Sequence, residues 1–257
     1  MKFRILVLVV VACFVSATKL RAQVSSTEIE TVFSAFHKAY SDELAIKKES
    51  IFFNRKIGNF EWLNIDLVLA SYVQNLDSKT GALFHEITIT GGMLKLDGFD
   101  ADSAALVLCH ELGHGIGGAP FKDPSALDSS DFPSSTEGQS DYYAARVCLP
   151  KIWDQLPLTE KVELPVALKK CGSRFEIESK EYHHCLRTFA AMRGFINLRL
   201  ISKSDTQTIS FESFDPTVVK EINLDSRFYP TPQCRLDTLI AGALGQPRPE
   251  CWYPADF

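Results

Sequence analysis

The 257-residue chain has no block of basic residues and no internal repeat, and its formal net charge is −5. Without a basic surface or interleaved aromatic side chains there is little to hold a phosphate backbone, so nucleic-acid binding is set aside. Beyond the extreme N-terminus no apolar run approaches the length needed to cross a bilayer. No low-complexity linker interrupts the chain, which argues for one domain over a string of modules. What is present suits a globular protein: 46% of the residues are hydrophobic and 23% charged, enough to build a sizeable core and far from a disordered composition.

The first residues, MKFRILVLVVVACFVSATKLRAQ, place Lys2 and Arg4 before an apolar run from Ile5 to Val15 and then small residues. This is the layout of an export signal, too short in its apolar part for a permanent anchor. The reading is a signal peptide over 1–22, cleaved after Ala17 or Ala22, with a mature domain over 23–257 that is periplasmic or secreted. Val10-Val11-Ala12-Cys13 also resembles a lipoprotein box, in which case Cys13 carries a lipid anchor. Six cysteines then remain, an even number that favours disulfides in an oxidising compartment. Fifteen pairings are formally open. Local spacing favours Cys171 with Cys185 and Cys234 with Cys251, which leaves Cys109 with Cys148 and a disulfide-stabilised C-terminal part.

The stretch that carries chemistry is His110-Glu111-Leu112-Gly113-His114. On a helix, residues four apart project from one face about one turn from each other, so the two imidazoles can converge on a single metal ion. Glu111 then lies beside the open coordination position, where a carboxylate can take a proton from water acidified by zinc. The preceding run, Asp102 to Cys109, is apolar and free of Pro and Gly, which predicts a helix. Gly115, Gly117, Gly118 and Pro120 end it.

Two histidines hold zinc weakly, so a third ligand is required. The metzincin pattern places a histidine where this chain has Pro120, and proline cannot ligate. The gluzincin pattern uses a glutamate from a second helix with an aspartate four residues on, and Glu137-Gly138-Gln139-Ser140-Asp141 fits it. Ser134, Ser135 and Thr136 are candidate caps that put Glu137 in the first turn. The expected site is therefore His110, His114 and Glu137 as ligands of one Zn2+, Glu111 as general base, and Asp141 behind a ligand histidine. A cysteine ligand is disfavoured, because Cys109 points about 100° around the helix from His110.

The order ITITGGMLKLDGFDADSAALVLCHELGH followed by EGQSD resembles the gluzincin metallopeptidases of the HtpX-like and CAAX-prenyl-protease family. Tyr229-Pro230-Thr231-Pro232-Gln233-Cys234-Arg235 is similar to that family's HPxxxxR segment, with Pro230 and Arg235 at matching spacing. The resemblance covers roughly residues 82 to 145 and 229 to 240. It implies an α+β, zincin-like fold, mostly helical, with a small mixed sheet whose edge strand borders the cleft, and zinc-dependent hydrolysis of peptide or protein substrates. Tyr229 stands where the family has histidine, and its hydroxyl is a candidate donor to the oxyanion. The membrane helices of the family's integral members are absent here.

Elsewhere, apolar spacing predicts a scaffold helix from Thr27 to about Ser50 and another helix or buried element from Trp62 to Leu76. Alternating Thr and Ile over residues 82 to 92 predict a strand, placed at the cleft edge, with His85 on its surface. His37 is read as exposed or satisfied, and His183 and His184 as surface or structural in preference to lining the cleft. Arg187, Arg193 and Arg199 read as a solvated stripe. A second class of function also fits: a disulfide-stabilised peptide-binding protein whose zinc is structural or vestigial. A zinc hydrolase acting on something other than protein is a third.

Overall fold

The computed structural model describes residues 24–55, 61–124, 132–157, 162–201 and 209–256. The signal segment and Cys13 lie outside them, as does residues 125–131 of the polar loop between His114 and Glu137. About half of the described residues are helical, and one small mixed sheet completes an α+β arrangement.

The first helix, α1 (Ser26–Lys47), starts at a reciprocal cap in which Ser25 accepts from the Glu28 amide and Glu28 accepts from the Ser25 amide. It buries Ile29, Val32, Phe33, Phe36, Tyr40 and Leu44 along one stripe. The strand β1 (Ser50–Phe53) follows, then β2 (Ala70–Leu76) and β3 (Leu83–Ile89). A turn joins the last two, closed by Asp77, which accepts from the Lys79 and Thr80 amides.

Two expectations change here. The Trp62 to Leu76 segment is a single 3-10 turn over Glu61–Asn64 and then strand β2, not a helix. An apolar run of this length fits a strand and a buried helix equally well, and pairing with β3 decides it. The sheet order is β1-β3-β2, with β1 parallel and β2 antiparallel to β3. The 83–89 strand is therefore central, its backbone groups committed on both sides, and β2 is the edge facing the cavity described below.

A short helix, α2 (Gly91–Leu94), leads to α3 (Ala101–Ile116), whose N-terminus is capped by Asp100 accepting from the Ser103 amide at 2.8 Å. This helix is the hub, in contact with α1, β2, β3 and several of the helices that follow. The next helix, α4 (Glu137–Tyr143), passes through a π turn at Ala144–Cys148 into α5 (Leu149–Trp153). Then come α6 (Pro165–Gly172), α7 (Lys180–Ile201) and α8 (Pro232–Leu244), the last closed by Gly245 in the left-handed conformation. Residues from α1, β3, α3, α7 and α8 share one buried apolar cluster.

All three expected disulfides form: Cys109–Cys148, Cys171–Cys185 and Cys234–Cys251. The first ties α3 to the π turn after α4. The solvated-stripe reading of the arginines holds for Arg193 alone among the described side chains. Arg187 is 4% exposed, chelates Asp102 through Nε and Nη2, and donates from Nη1 to the Leu156 carbonyl. The side chain of Arg199 lies outside the description.

Candidate metal centre

Two helices build the centre, and a glycine lets them meet. A Cβ on Gly113 would lie 3.0 Å from both the Cα and the carbonyl oxygen of Ser140, so α3 and α4 approach backbone to backbone at the middle of the His-Glu motif. That contact brings Glu137 of α4 against the imidazoles of α3. The Glu137 Oε2 atom is 3.3 Å from His110 Nε2, and Oε1 is 3.5 Å from His114 Nε2. The ligating atoms of His110, His114 and Glu137 all lie within 4.8 Å of one another.

These separations can be tested against a metal. Four ligands at about 2.0–2.1 Å in a tetrahedron stand about 3.3 Å apart, and both nitrogen-to-carboxylate distances are close to that edge. The outer ring nitrogens provide a second check. His110 Nδ1 is 2.7 Å from Asp141 Oδ1, and His114 Nδ1 is 2.9 Å from the Ser135 carbonyl and 3.0 Å from Ser140 Oγ. A carboxylate and a carbonyl can only accept, so each Nδ1 carries its proton outward and leaves Nε2 to face the cluster. The donor set therefore fits a divalent cation. Every cysteine after Cys13 is in a disulfide, so none of the six is available as a thiolate ligand.

Asp141 is 1% exposed and shared between His110 and Arg235, whose Nε and Nη2 reach its two oxygens at 2.6 and 2.8 Å. Arg235 Nη2 also lies 3.4 Å from both nitrogens of His110, which puts the guanidinium against the ring rather than in line with one lone pair. Lys122 donates to Glu137 Oε1 at 2.8 Å. Neither Arg235 nor Lys122 had been given a role from the sequence. Arg235 sits 94 positions from Asp141, with only its place in a family-like segment to mark it. Lys122 carries no local signal.

Charge is divided sharply across these few residues. Burial disfavours the His110 imidazolium, but Asp141 and Glu137 outweigh it and hold the group up to about 9. Burial and the neighbouring His110 push His114 down to about 3, so this ring is neutral. Burial opposes ionisation of Glu137 and Asp141, yet hydrogen bonds and charge from His110 and Arg235 keep both carboxyls below their ordinary range. Two carboxylates thus favour positive charge at the point where the ring nitrogens meet. Glu111 is different: burial, reinforced by Glu137, lifts its carboxyl to about 7, a value suited to exchanging protons near neutrality.

The cluster opens into a cavity of about 670 Å³. It is lined by β2 and its approach, Val68 to Tyr72, and by Leu106, Val107, Phe195 and Leu239. Glu111 lines it beside the three candidate ligands. Tyr229 stands at its mouth, 56% exposed, with its ring 5.8 Å from the Arg235 guanidinium. His37 is exposed on α1, His183 pairs with Glu178 and His184 with Asp154, and none of them lines the cavity. His85 departs from the surface reading: it is 1% exposed, with both ring nitrogens hydrogen-bonded. Comparison with family models, with curated proteins and with solved structures returned no match.

Proposed function

We propose that this chain is an exported, single-domain zinc peptidase of gluzincin type, similar in its motifs to the HtpX-like and CAAX-prenyl-protease family, with His110, His114 and Glu137 as the ligands. One observation carries the reading. Two imidazoles, each with its outer nitrogen held by an acceptor, turn their inner nitrogens toward one buried carboxylate at near-tetrahedral spacing, with a second carboxylate, Glu111, beside them in an open cavity.

Zinc held by His110, His114 and Glu137 would supply a Lewis acid and acidify a water molecule. The chain supplies the rest. The carboxylate form of Glu111, present near neutrality, takes a proton from water on the cavity side and returns it to the nitrogen of the leaving amine. Asp141 fixes the tautomer and tilt of His110, and Arg235 fixes Asp141. Lys122 offsets part of the negative charge on Glu137. The edge strand β2 lines the cavity at Ala70 to Tyr72, which suits an extended peptide lying beside it. Tyr229 Oη is the candidate donor to the developing oxyanion. Export agrees with three disulfides, which persist in oxidising compartments.

The test is a casein digest by the purified chain loaded with zinc, repeated with a chelator and with Glu111→Gln. Cleavage that needs the metal and vanishes in the variant, while the variant keeps its zinc, is the expected result. Wild-type cleavage by Glu111→Gln refutes the assigned role. Metal content that is tight but without any hydrolysis favours the peptide-binding alternative instead.

A further inference from the structure

The peptidase mechanism above leaves one buried polar chain unused. On the cavity wall, Tyr72 of β2 bonds through its hydroxyl to His85 Nδ1 at 2.7 Å, and His85 Nε2 meets Glu49 Oε2 at 3.0 Å. Tyr72 pairs with Ile87 across the sheet, so it shares a face with Ile87 and His85 and points down toward α3. There its hydroxyl lies over Gly115: a Cβ at that position would stand 1.9 Å from Tyr72 Oη. Gly115 follows the ligand His114 and is one turn beyond Glu111 on the same helical face. The glycine leaves the phenol room beside α3, one turn from the proposed base, and Tyr72 and Glu111 both line the cavity.

For a neutral His85 the direction of these hydrogen bonds follows from its two partners. A carboxylate only accepts, so in the neutral imidazole the proton sits on Nε2 facing Glu49. Nδ1 is then an acceptor, and the Tyr72 hydroxyl must donate to it. With its one proton committed to the wall, the phenolic oxygen offers only lone pairs to whatever fills the cavity. A carbonyl or an oxyanion finds nothing to bind there. An N–H group does.

We propose that Tyr72 is a substrate-binding residue whose oxygen accepts one backbone N–H of a peptide in the cleft, with His85 and Glu49 as positioning residues that hold its hydroxyl proton away. The assignment rests on the peptidase reading and adds to it which atom of the substrate is read, and by what.

The test uses a short blocked alanine-leucine peptide and a series in which each backbone N–H is replaced in turn by an ester oxygen. Binding is measured on zinc-loaded protein carrying Glu111→Gln, so that the peptide stays intact, with and without Tyr72→Phe. Tyr72→Phe is expected to weaken peptide binding by roughly three- to ten-fold, the range of one net hydrogen bond. A single ester in the series should lose the same factor with Tyr72 present and nothing further once Tyr72→Phe is introduced. A purely structural role for Tyr72 would lower binding of every analogue alike. Equal losses across the series, or no loss on Tyr72→Phe, overturn the assignment and leave the peptidase reading standing. A zinc-loaded wild-type protein that neither binds nor cleaves any member of the series overturns both.

Discussion

Replacing Asp141 by asparagine is the sharpest probe of how the centre is held. The native carboxylate takes hydrogen bonds from His110 Nδ1 at 2.7 Å and from Arg235 Nε and Nη2 at 2.6 and 2.8 Å, in a site 1% exposed. Asparagine keeps the shape but presents an NH2 group on one side. If its oxygen serves His110 and Nη2, the NH2 faces the Arg235 Nε–H; flipped, it faces both His110 Nδ1–H and Arg235 Nη2. At least one donor is opposed in either case, and Arg235 loses its closest charge partner while keeping Glu137 at 3.6 Å. Breaking a buried pair by neutralising one member costs about 3–5 kcal/mol, and the remaining carboxylate puts this variant near the lower end. Loss of a ligand-orienting partner separately lowers metal affinity by about 10–100-fold, or about 1.4–2.7 kcal/mol. Thermal unfolding of chelator-treated protein reads the first effect, and competition against a chromophoric chelator reads the second. A variant that unfolds earlier yet binds zinc within about two-fold of the parent would refute the claim that Asp141 orients His110.

Other consequences follow from single contacts. Reducing or replacing the Cys109–Cys148 bridge, which closes a separation of 39 residues, should cost about 4 kcal/mol of stability in the chain-entropy account and weaken zinc binding as well, because it ties the two ligand-bearing helices; calorimetry and metal titration check each part. Gly113→Ala puts a methyl group 3.0 Å from the Ser140 backbone, so α3 and α4 must separate, and zinc affinity should fall although none of the three ligands is replaced. Asp102→Ala strands the buried Arg187 and should destabilise the fold by about 3–5 kcal/mol while leaving zinc content unchanged; a shift within the error of the melting curve contradicts the buried-pair assignment. Tyr229→Phe should lower kcat by about 10²–10³ if the hydroxyl serves the oxyanion, and an unchanged kcat assigns the residue to packing at the cavity mouth.

The parts of the site that were readable from sequence are those whose geometry is local. His110 and His114 share a helix turn, Glu137 and Asp141 another, and helical spacing fixes each pair before any tertiary contact forms. The cysteine pairings were readable for a related reason, since two of the three close short loops and leave the last pair no choice. What escaped depends on contacts made across the fold. The strand β1 is too short for alternation to show, and β2 became a strand only by pairing with β3. The central place of β3, taken for an edge, is a fact of sheet order that no property of its own residues records. His85 sits between Phe84 and Glu86, a pattern that fits a surface or a core position, and its burial is explained by Glu49 and Tyr72, each distant in the chain. Arg235 and Lys122 gained their meaning in the same manner, through partners on other elements. The reversed fate of Arg187, expected in solvent and found inside, reflects Asp102 supplying the charge that makes burial tolerable.

X-ray absorption at the zinc edge, on the purified wild-type chain and on Glu137→Ala, addresses the metal centre without reference to any substrate. The account expects one zinc per chain with two imidazole nitrogens and carboxylate oxygen at about 2.0–2.1 Å, and loss of most of the bound zinc in the variant. A sulfur shell near about 2.3 Å, or a spectrum and zinc content unchanged by Glu137→Ala, would contradict it.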